Sequence, residues 1–249
     1  MSNIRISSTS SYMGLDSWVM ANMVQLATFD FCRRFLNRTN DPAGRMFDQM
    51  TQAARSCQAN IAEGSARRQT STEAEMKLLD VARASLSELA GDYMFILMSR
   101  GEAAWPQTDS RWAEIHDFRL DRPTYGQDFL HDLTSHIGRQ YTRIAHLVKS
   151  EDVSVAANSI LILCTRVIKM LEHQIAACFE RFKCEGGFTE NLTKARTEAV
   201  KEAATHAGAP RCPRCGATMR QRMVKKGARQ GTSFRGCTNY PQCDGIINI

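Results

Sequence analysis

Apolar side chains recur at three- and four-residue intervals along most of this chain, which is the spacing of an amphipathic helix. The longest stripe follows Thr70 and Glu73, whose spacing predicts a capping box at a helix start, and Gly101 ends it. A stripe of this length is typical of a helix in a bundle. Its members are Met76, Leu79, Ala82, Leu86, Leu89, Tyr93 and Ile96.

Four further stretches with the same period predict more helices. Two of them begin at Asp16 and at Asp41-Pro42, where a capping carboxylate precedes a proline at the first helical position. The other two cover 127–149 and 153–184. The last is the most apolar, but its strongest run, Ile160 to Cys164, is too short to span a bilayer. Residues 101–126 are expected to form a loop, because prolines and Gly126 interrupt the period.

Four of the nine cysteines lie near the end of the chain with the spacing of zinc ligands. The pattern is Cys212-x2-Cys215-x21-Cys237-x5-Cys243, in which each pair can form a tight knuckle. Four thiolates at about 2.3 Å complete a tetrahedron around one zinc ion, and a filled shell of this kind is structural rather than catalytic. The alternatives are two unrelated cysteine pairs or a redox Cys-x-x-Cys. The redox reading is disfavoured because Cys212 follows a linker rather than a strand.

These patterns predict a mainly α protein, an antiparallel four-helix bundle with extra helices, followed by a small C-terminal zinc ribbon with short β-strands. Glu190 to His206 predicts a short charged helix, and Gly208-Ala-Pro210 a linker. The predicted organisation is a disordered arm at 1–14, the bundle at 15–186 with an inserted helix near 127–149, a charged helical arm at 187–208 and the ribbon at 209–249.

The net charge of +6 conceals an asymmetry. Residues 209–249 hold eight Lys or Arg against one acidic residue, Asp244, so they carry +7, while the first 208 residues sum to −1. Zinc bound by four thiolates lowers the ribbon charge to about +5. Cations contact phosphates and exposed aromatic rings stack on unpaired bases, so the ribbon is expected to bind single-stranded DNA or RNA. Alternatively, the cations are only solvated and offset the thiolates.

The candidate nucleic-acid-binding residues are mostly cations and aromatics of the ribbon. They are Arg214, Arg220, Arg222, Lys225, Lys226, Arg229, Phe234, Arg235 and Tyr240, with Arg67 and Arg68 at a helix exit.

Several ribbon segments resemble the four-cysteine zinc ribbon at the C-termini of bacterial type IA topoisomerases. They are Cys-Pro-Arg-Cys-Gly at 212–216, Met219, Lys226-Gly227 and Phe-Arg-Gly-Cys-Thr-Asn-Tyr-Pro-Gln-Cys at 234–243. In that family the ribbon binds single-stranded DNA. The chain has no room for the catalytic tyrosine domain, so the resemblance implies a binding module and not that activity.

Residues 49–64 resemble the signature of the four-helix-bundle family that includes the 23S rRNA intervening-sequence proteins. Residues 82–89 match its next helix, and 185–188 resemble the subset with a C-terminal suffix. The accessory variability determinant of diversity-generating retroelements uses the same fold. This resemblance implies a homopentamer whose partners are a reverse transcriptase and its template RNA. The helical part of this chain has a net charge of −1, whereas the barrel formed by that protein is basic.

Motifs of common catalytic sites are missing from the sequence. It has no Glu-x-x-His pair of a di-metal bundle, no glycine-rich phosphate loop and no Gly-x-Ser-x-Gly. We therefore expect a non-enzymatic, nucleic-acid-binding oligomeric accessory protein. The alternative is a protein-interaction scaffold whose zinc ribbon is only structural. Scattered single cysteines and a polar N-terminus predict the reducing cytoplasm.

Two smaller expectations concern polar residues of the helices. His136 and His146 are expected at the surface or at its boundary. Asn60, Glu63 and Arg67 lie one turn apart, where they would form either a polar network that fixes the bundle register or an ordinary surface ion pair.

Overall fold

A computed structural model describes residues 12–68, 70–206, 210–227 and 229–249. The chain divides after Glu185 into two compact units. Most of the predicted disordered arm lies outside the described residues, although Tyr12–Gly14 forms a turn of 3₁₀ helix. The predicted fold class is confirmed, since the protein is mostly helical and ends in a small antiparallel sheet.

Helices make up the first unit, in which four long ones are joined by shorter pieces. Within the described residues they are α1 (Asp16–Phe35), α2 (Arg45–Arg67), α3 (Thr72–Ser99), α4 (Ser110–Asp117), α5 (Phe129–Arg143), α6 (Ala145–Val148) and α7 (Val153–Glu185).

The four long helices α1, α2, α3 and α7 form the bundle. Helix α1 packs against α2 and α7, and α3 packs against the same two helices, so α1 and α3 occupy diagonal corners. The short connections from α1 to α2 and from α2 to α3 make these neighbours antiparallel. The core includes Phe31 of α1 and Tyr93 of α3, whose rings meet edge to face at 5.2 Å. The buried Tyr93 hydroxyl donates to Thr28 Oγ1 at 3.1 Å, so its polar group is satisfied.

Two predicted helix starts are displaced in the structure. Helix α2 begins at Arg45 rather than at Pro42, because the chain turns through Gly44 at φ +67° first. The Asp41 carboxylate still caps this helix, accepting from the backbone N–H groups of Met46 and Phe47. Helix α3 is capped by Ser71, whose hydroxyl accepts from the Ala74 N–H at 3.1 Å, so the predicted Thr70 capping box is wrong by one residue.

The predicted loop at 101–126 contains helix α4, which the sequence pattern does not predict. Its eight residues bury a single side chain, Ile115, so they show no apolar period. This segment is tied to α7 by two polar side chains. Arg166 donates to the carbonyl oxygens of Ile115 and Phe118 at 2.8 and 2.5 Å, and Asn158 accepts from the Trp105 N–H at 2.8 Å.

Helix α7 supplies the most apolar face of the bundle. A stretch from Val153 to Val200 is long and apolar enough to meet a length-and-composition criterion for a membrane span. Within its apolar window, however, 61% of the residues are buried inside the protein. Burial on this scale is typical of a core helix that is apolar around most of its circumference.

Four of the single cysteines are core residues of the bundle. Cys32, Cys57, Cys164 and Cys178 are buried, whereas Cys184 near the end of α7 is exposed. Burial raises the pKa of Cys32 and of Cys57 to about 12, and it also raises the pKa of Cys164 and of Cys178. These thiols therefore stay protonated at neutral pH and pack as small apolar groups.

The polar expectations for the helices are met only in part. His136 is buried at 2% exposure, so its predicted surface position is wrong, and burial lowers its pKa. Glu63 and Arg67 form an exposed ion pair at 3.6 Å. Asn60 instead donates to the Ser56 carbonyl and hydroxyl oxygens on its own helix.

Core packing on α3 gives a direct test of the bundle. Leu89 is fully buried, so Leu89→Ala is expected to lower the free energy of unfolding by about 2–5 kcal/mol through lost burial and a residual cavity. Urea unfolding followed by circular dichroism measures this change. Ser87→Ala, two residues away at an exposed position, is the control and should change stability by less than about 0.5 kcal/mol.

The second unit contains α8 (Phe188–His206) and the ribbon. Of the predicted linker at 208–210, only Pro210 lies within the described residues. The strands of the ribbon are β1 (Met219–Met223), β2 (Ser233–Cys237) and β3 (Ile246–Asn248), paired antiparallel in that order.

Candidate metal centre and nucleic-acid face

The four predicted metal ligands meet at one end of the ribbon. Their sulfur atoms all lie within 4.8 Å of one another. The Cys212 and Cys243 sulfurs are 3.8 Å apart, and the Cys215 and Cys237 sulfurs are 3.4 Å apart. Four sulfurs at 2.3 Å from a tetrahedral zinc ion would be separated by about 3.8 Å. The spacing of the sulfurs therefore fits one zinc ion with no position left for water.

Two backbone turns present these sulfurs. In the first turn Gly216, at φ +72°, returns its N–H to the Cys212 carbonyl at 2.9 Å. In the second, the Cys243 N–H donates to the Asn239 carbonyl at 3.0 Å. The Asn239 N–H lies 3.4 Å from the Cys237 sulfur. N–H groups aimed at sulfur stabilise the thiolate form that a metal requires.

Gly245 lies directly against the metal centre, a position that the cysteine pattern does not predict. A Cβ atom there would overlap the Cys212 sulfur, while its distances to Cys243 and Cys237 would be ordinary van der Waals contacts. The Gly245 carbonyl accepts from the Cys237 N–H at 2.9 Å, so the backbone cannot move away without loss of that bond. In the sequence, the only indication of this role is that Gly245 follows the last ligand, Cys243, by two residues.

The pKa values of the clustered thiols favour the binding of a cation. The backbone N–H of Arg214 lowers the pKa of Cys212 to about 7. The N–H of Asn239 acts on Cys237 in the same direction, but burial and the neighbouring thiols raise the pKa of Cys237 to about 12. Four thiolates this close repel each other unless a divalent ion neutralises them, so zinc would replace the remaining protons.

The ribbon has little else to stabilise it. Its buried apolar cluster consists of Cys212, Met219 and Cys237, with Ala217, Cys243 and Ile247 partly buried beside them. Half of this cluster is made of the ligands themselves. Zinc binding supplies about 10–16 kcal/mol in small zinc peptides, which is enough to replace the missing core.

Strand register separates the predicted nucleic-acid residues onto two faces of the sheet. Arg222 lies opposite Phe234, and Arg220 lies opposite Gly236. Because cross-strand partners share a face, these residues lie on the face away from Cys237. We call Arg220, Arg222 and Phe234 the open face. Arg235 lies opposite Gln221 on the other face, which also carries Cys237.

Gly236 shapes the open face. A Cβ atom at this position would lie 3.3 Å from the Phe234 ring and 3.4 Å from Arg222 Cδ. The aromatic ring and the arginine stem therefore lie side by side above the glycine. Both arginines are exposed and Phe234 is half-buried, so the open face offers two cations beside an accessible ring.

A groove extends the open face towards the turn between β1 and β2. It has a volume of about 670 Å³, and its lining includes Lys225, Arg229, Phe234, Ile246 and Asn248. Cations and apolar atoms together line this groove, a combination that suits phosphates and bases.

The remaining predicted residues lie elsewhere. Arg214 forms an ion pair with Asp244. Tyr240 is exposed on the second knuckle, and Lys226 is exposed in the β1–β2 turn. Arg67 and Arg68 lie at the end of α2 in the first unit. Within 210–227 and 229–249, no ion pair engages a ribbon cation other than Arg214.

Fold and site together define a helical protein that ends in a four-cysteine zinc ribbon. Residues 210–249 match the family model described as topoisomerase DNA binding C4 zinc finger. The chain therefore carries a topoisomerase-type ribbon that holds one structural zinc ion. No curated protein and no solved structure matches the chain.

Proposed function

We propose that this protein is a non-enzymatic accessory protein that binds single-stranded nucleic acid through its zinc ribbon. The observation that carries the proposal is the open face, where two exposed arginines flank Phe234 on the side away from the metal ligands. Arginine contacts phosphates, and an aromatic ring stacks on an unpaired base whatever its identity. The family match of the ribbon to a DNA-binding zinc finger supports the same function.

Charge supports this assignment over a purely structural role. The ribbon carries eight cations and one acid, and with bound zinc it keeps a charge of about +5. A structural zinc site does not need such an excess. Concentrated positive charge on a small rigid sheet favours a polyanion, and the affinity should decline steeply as salt rises.

The helical unit is proposed to assemble several ribbons. The resemblance of residues 49–64, which lie within α2, supports membership of the four-helix-bundle family. On that basis we propose a homo-oligomer, with a pentamer as the implied form, and a reverse transcriptase of a diversity-generating retroelement as partner. Several linked ribbons on one strand would raise avidity without any new contact. The cytoplasm is the proposed compartment.

Filter binding of the full chain to single-stranded DNA and RNA tests the main proposal. The logarithm of the affinity should fall linearly with the logarithm of salt concentration, by about 0.7 per phosphate neutralised on a single strand. A chain ending at residue 208 should lose most of this binding. Salt-independent binding by the full chain, or none at all, would remove the proposal.

A second candidate function is a protein-interaction scaffold in which the ribbon only stabilises the chain. The exposed apolar side chains of the helical unit favour it, since such groups mark contact surfaces. The same deletion separates the two functions. A scaffold would keep its protein partner and an unchanged affinity for nucleic acid after loss of 209–249.

A further inference from the structure

A groove about 690 Å³ in volume lies on the outer surface of the bundle beside α1. Leu26 and Phe29 of α1 line it at 46% and 49% exposure, together with Ile137 of α5. Two large apolar side chains lie exposed side by side in this groove, and covering them would remove apolar surface from water. This surface, the α1 groove, is therefore suited to receive apolar side chains.

A second apolar surface lies on the last turns of α3. Met94, Phe95 and Met98 fall on neighbouring positions of the helix, and Phe95 and Met98 are 55% and 65% exposed. They are exposed, whereas their neighbours Ile96 and Leu97 are buried in the core, and Phe95 also lines a small groove with Phe35 and Leu36 of α1. We call these three residues the α3 knob.

The two surfaces cannot cover each other within one chain. Helices α1 and α3 occupy diagonal corners of the bundle, with α2 and α7 between them. One copy therefore offers a groove at one corner and a knob at the opposite corner. Two different surfaces placed in this way pair head to tail between copies, and such a contact closes into a ring when the rotation between copies allows it.

Opposite charges border the two surfaces. Arg55 lines the α1 groove, and the Arg33 guanidinium lies 5.8 Å from the Phe29 ring centre. Glu88 and Asp92 precede the α3 knob by one or two helical turns. No ion pair engages any of these four side chains within the described part of the chain. Charges of opposite sign would meet when the knob enters the groove of the next copy.

We infer that the α3 knob of one copy seats in the α1 groove of a second copy, so that the protein assembles head to tail. This inference rests on the proposed homo-oligomer and names its contact surfaces. The occupant of the groove is a second copy of this chain because the same molecule carries the complementary knob and the complementary charges.

Complementation between two full-length variants tests this contact. Phe29→Glu damages the groove and leaves the knob, while Phe95→Glu damages the knob and leaves the groove. Each variant alone should sediment as a monomer. An equimolar mixture should form a heterodimer and nothing larger, because one intact knob and one intact groove remain. Phe179→Glu, at a phenylalanine of similar exposure on α7, should keep the wild-type mass.

Sedimentation velocity without nucleic acid gives the masses, and circular dichroism checks the fold. Phe29→Ala and Phe95→Ala replace the glutamate variants if those fail to fold. A variant that dimerises alone, or a mixture that stays monomeric, would overturn the head-to-tail contact. A monomeric wild type would remove the proposed oligomer as well. None of these outcomes tests nucleic-acid binding by the ribbon, which is measured separately.

Discussion

Gly245→Ala is expected to weaken zinc binding by the ribbon while the helical unit stays folded. The added methyl group would overlap the Cys212 sulfur, and a shift of the backbone to relieve this overlap would break the hydrogen bond from the Cys237 N–H to the Gly245 carbonyl. Displacing one of four ligands leaves a thiolate set that no longer matches a tetrahedral ion. We expect zinc affinity to fall by roughly 10–100-fold or more, the range found when groups that orient metal ligands are changed.

Metal analysis after dialysis against a weak chelator measures this loss. The wild type should retain one zinc ion per chain, and the variant should retain much less. Gly91→Ala is the matched control, because a Cβ atom at that helical position meets nothing within 4 Å. Equal zinc content in all three proteins would show that Gly245 does not shape the metal centre.

Phe234→Ala is expected to cause the largest loss of nucleic-acid affinity among single changes that leave the metal in place. The Phe234 ring lies beside Arg222 on the open face and lines the adjacent groove, so it is placed to stack on an unpaired base. Stacking of one base on one ring contributes about 1–3 kcal/mol, so binding should weaken by roughly 5- to 150-fold. Fluorescence anisotropy with a labelled oligonucleotide measures the change.

A pair of arginines provides the control for the geometry of this face. Arg222 and Arg235 lie on neighbouring strands of the same hairpin but on opposite faces of the sheet. Arg222→Ala should weaken binding and reduce the salt slope by about 0.7, the value for one phosphate contact on a single strand. Arg235→Ala should have a smaller effect on both. Equal effects would indicate a general attraction to charge rather than one binding face.

Helical periodicity carried most of the fold prediction because long amphipathic helices leave a strong pattern. The stripe from Met76 to Ile96 predicted α3, whose starting cap was displaced by only one residue. Helix α4 left no such pattern, because Ile115 is its one buried side chain. The predicted surface position of His136 was wrong because its burial depends on how α5 packs. The type of one polar residue does not determine that packing.

For the site, cysteine spacing was sufficient to identify the ligands, because a metal knuckle is a local structure. The faces on which the strand residues lie could not be predicted from the sequence in the same way. They depend on the register across the β1–β2 turn, and a slip of one residue would move Phe234 to the other face. The role of Gly245 depends on a contact with Cys212 from the far end of the ribbon.

The four thiols of the helical core are shielded from alkylating reagents, since they are buried and remain protonated at neutral pH. Modification of the folded chain is thereby restricted to Cys184 and to whichever ribbon cysteines have lost their metal. The number of alkyl labels per chain, read by mass spectrometry, thus reports the fraction of ribbons that are free of zinc.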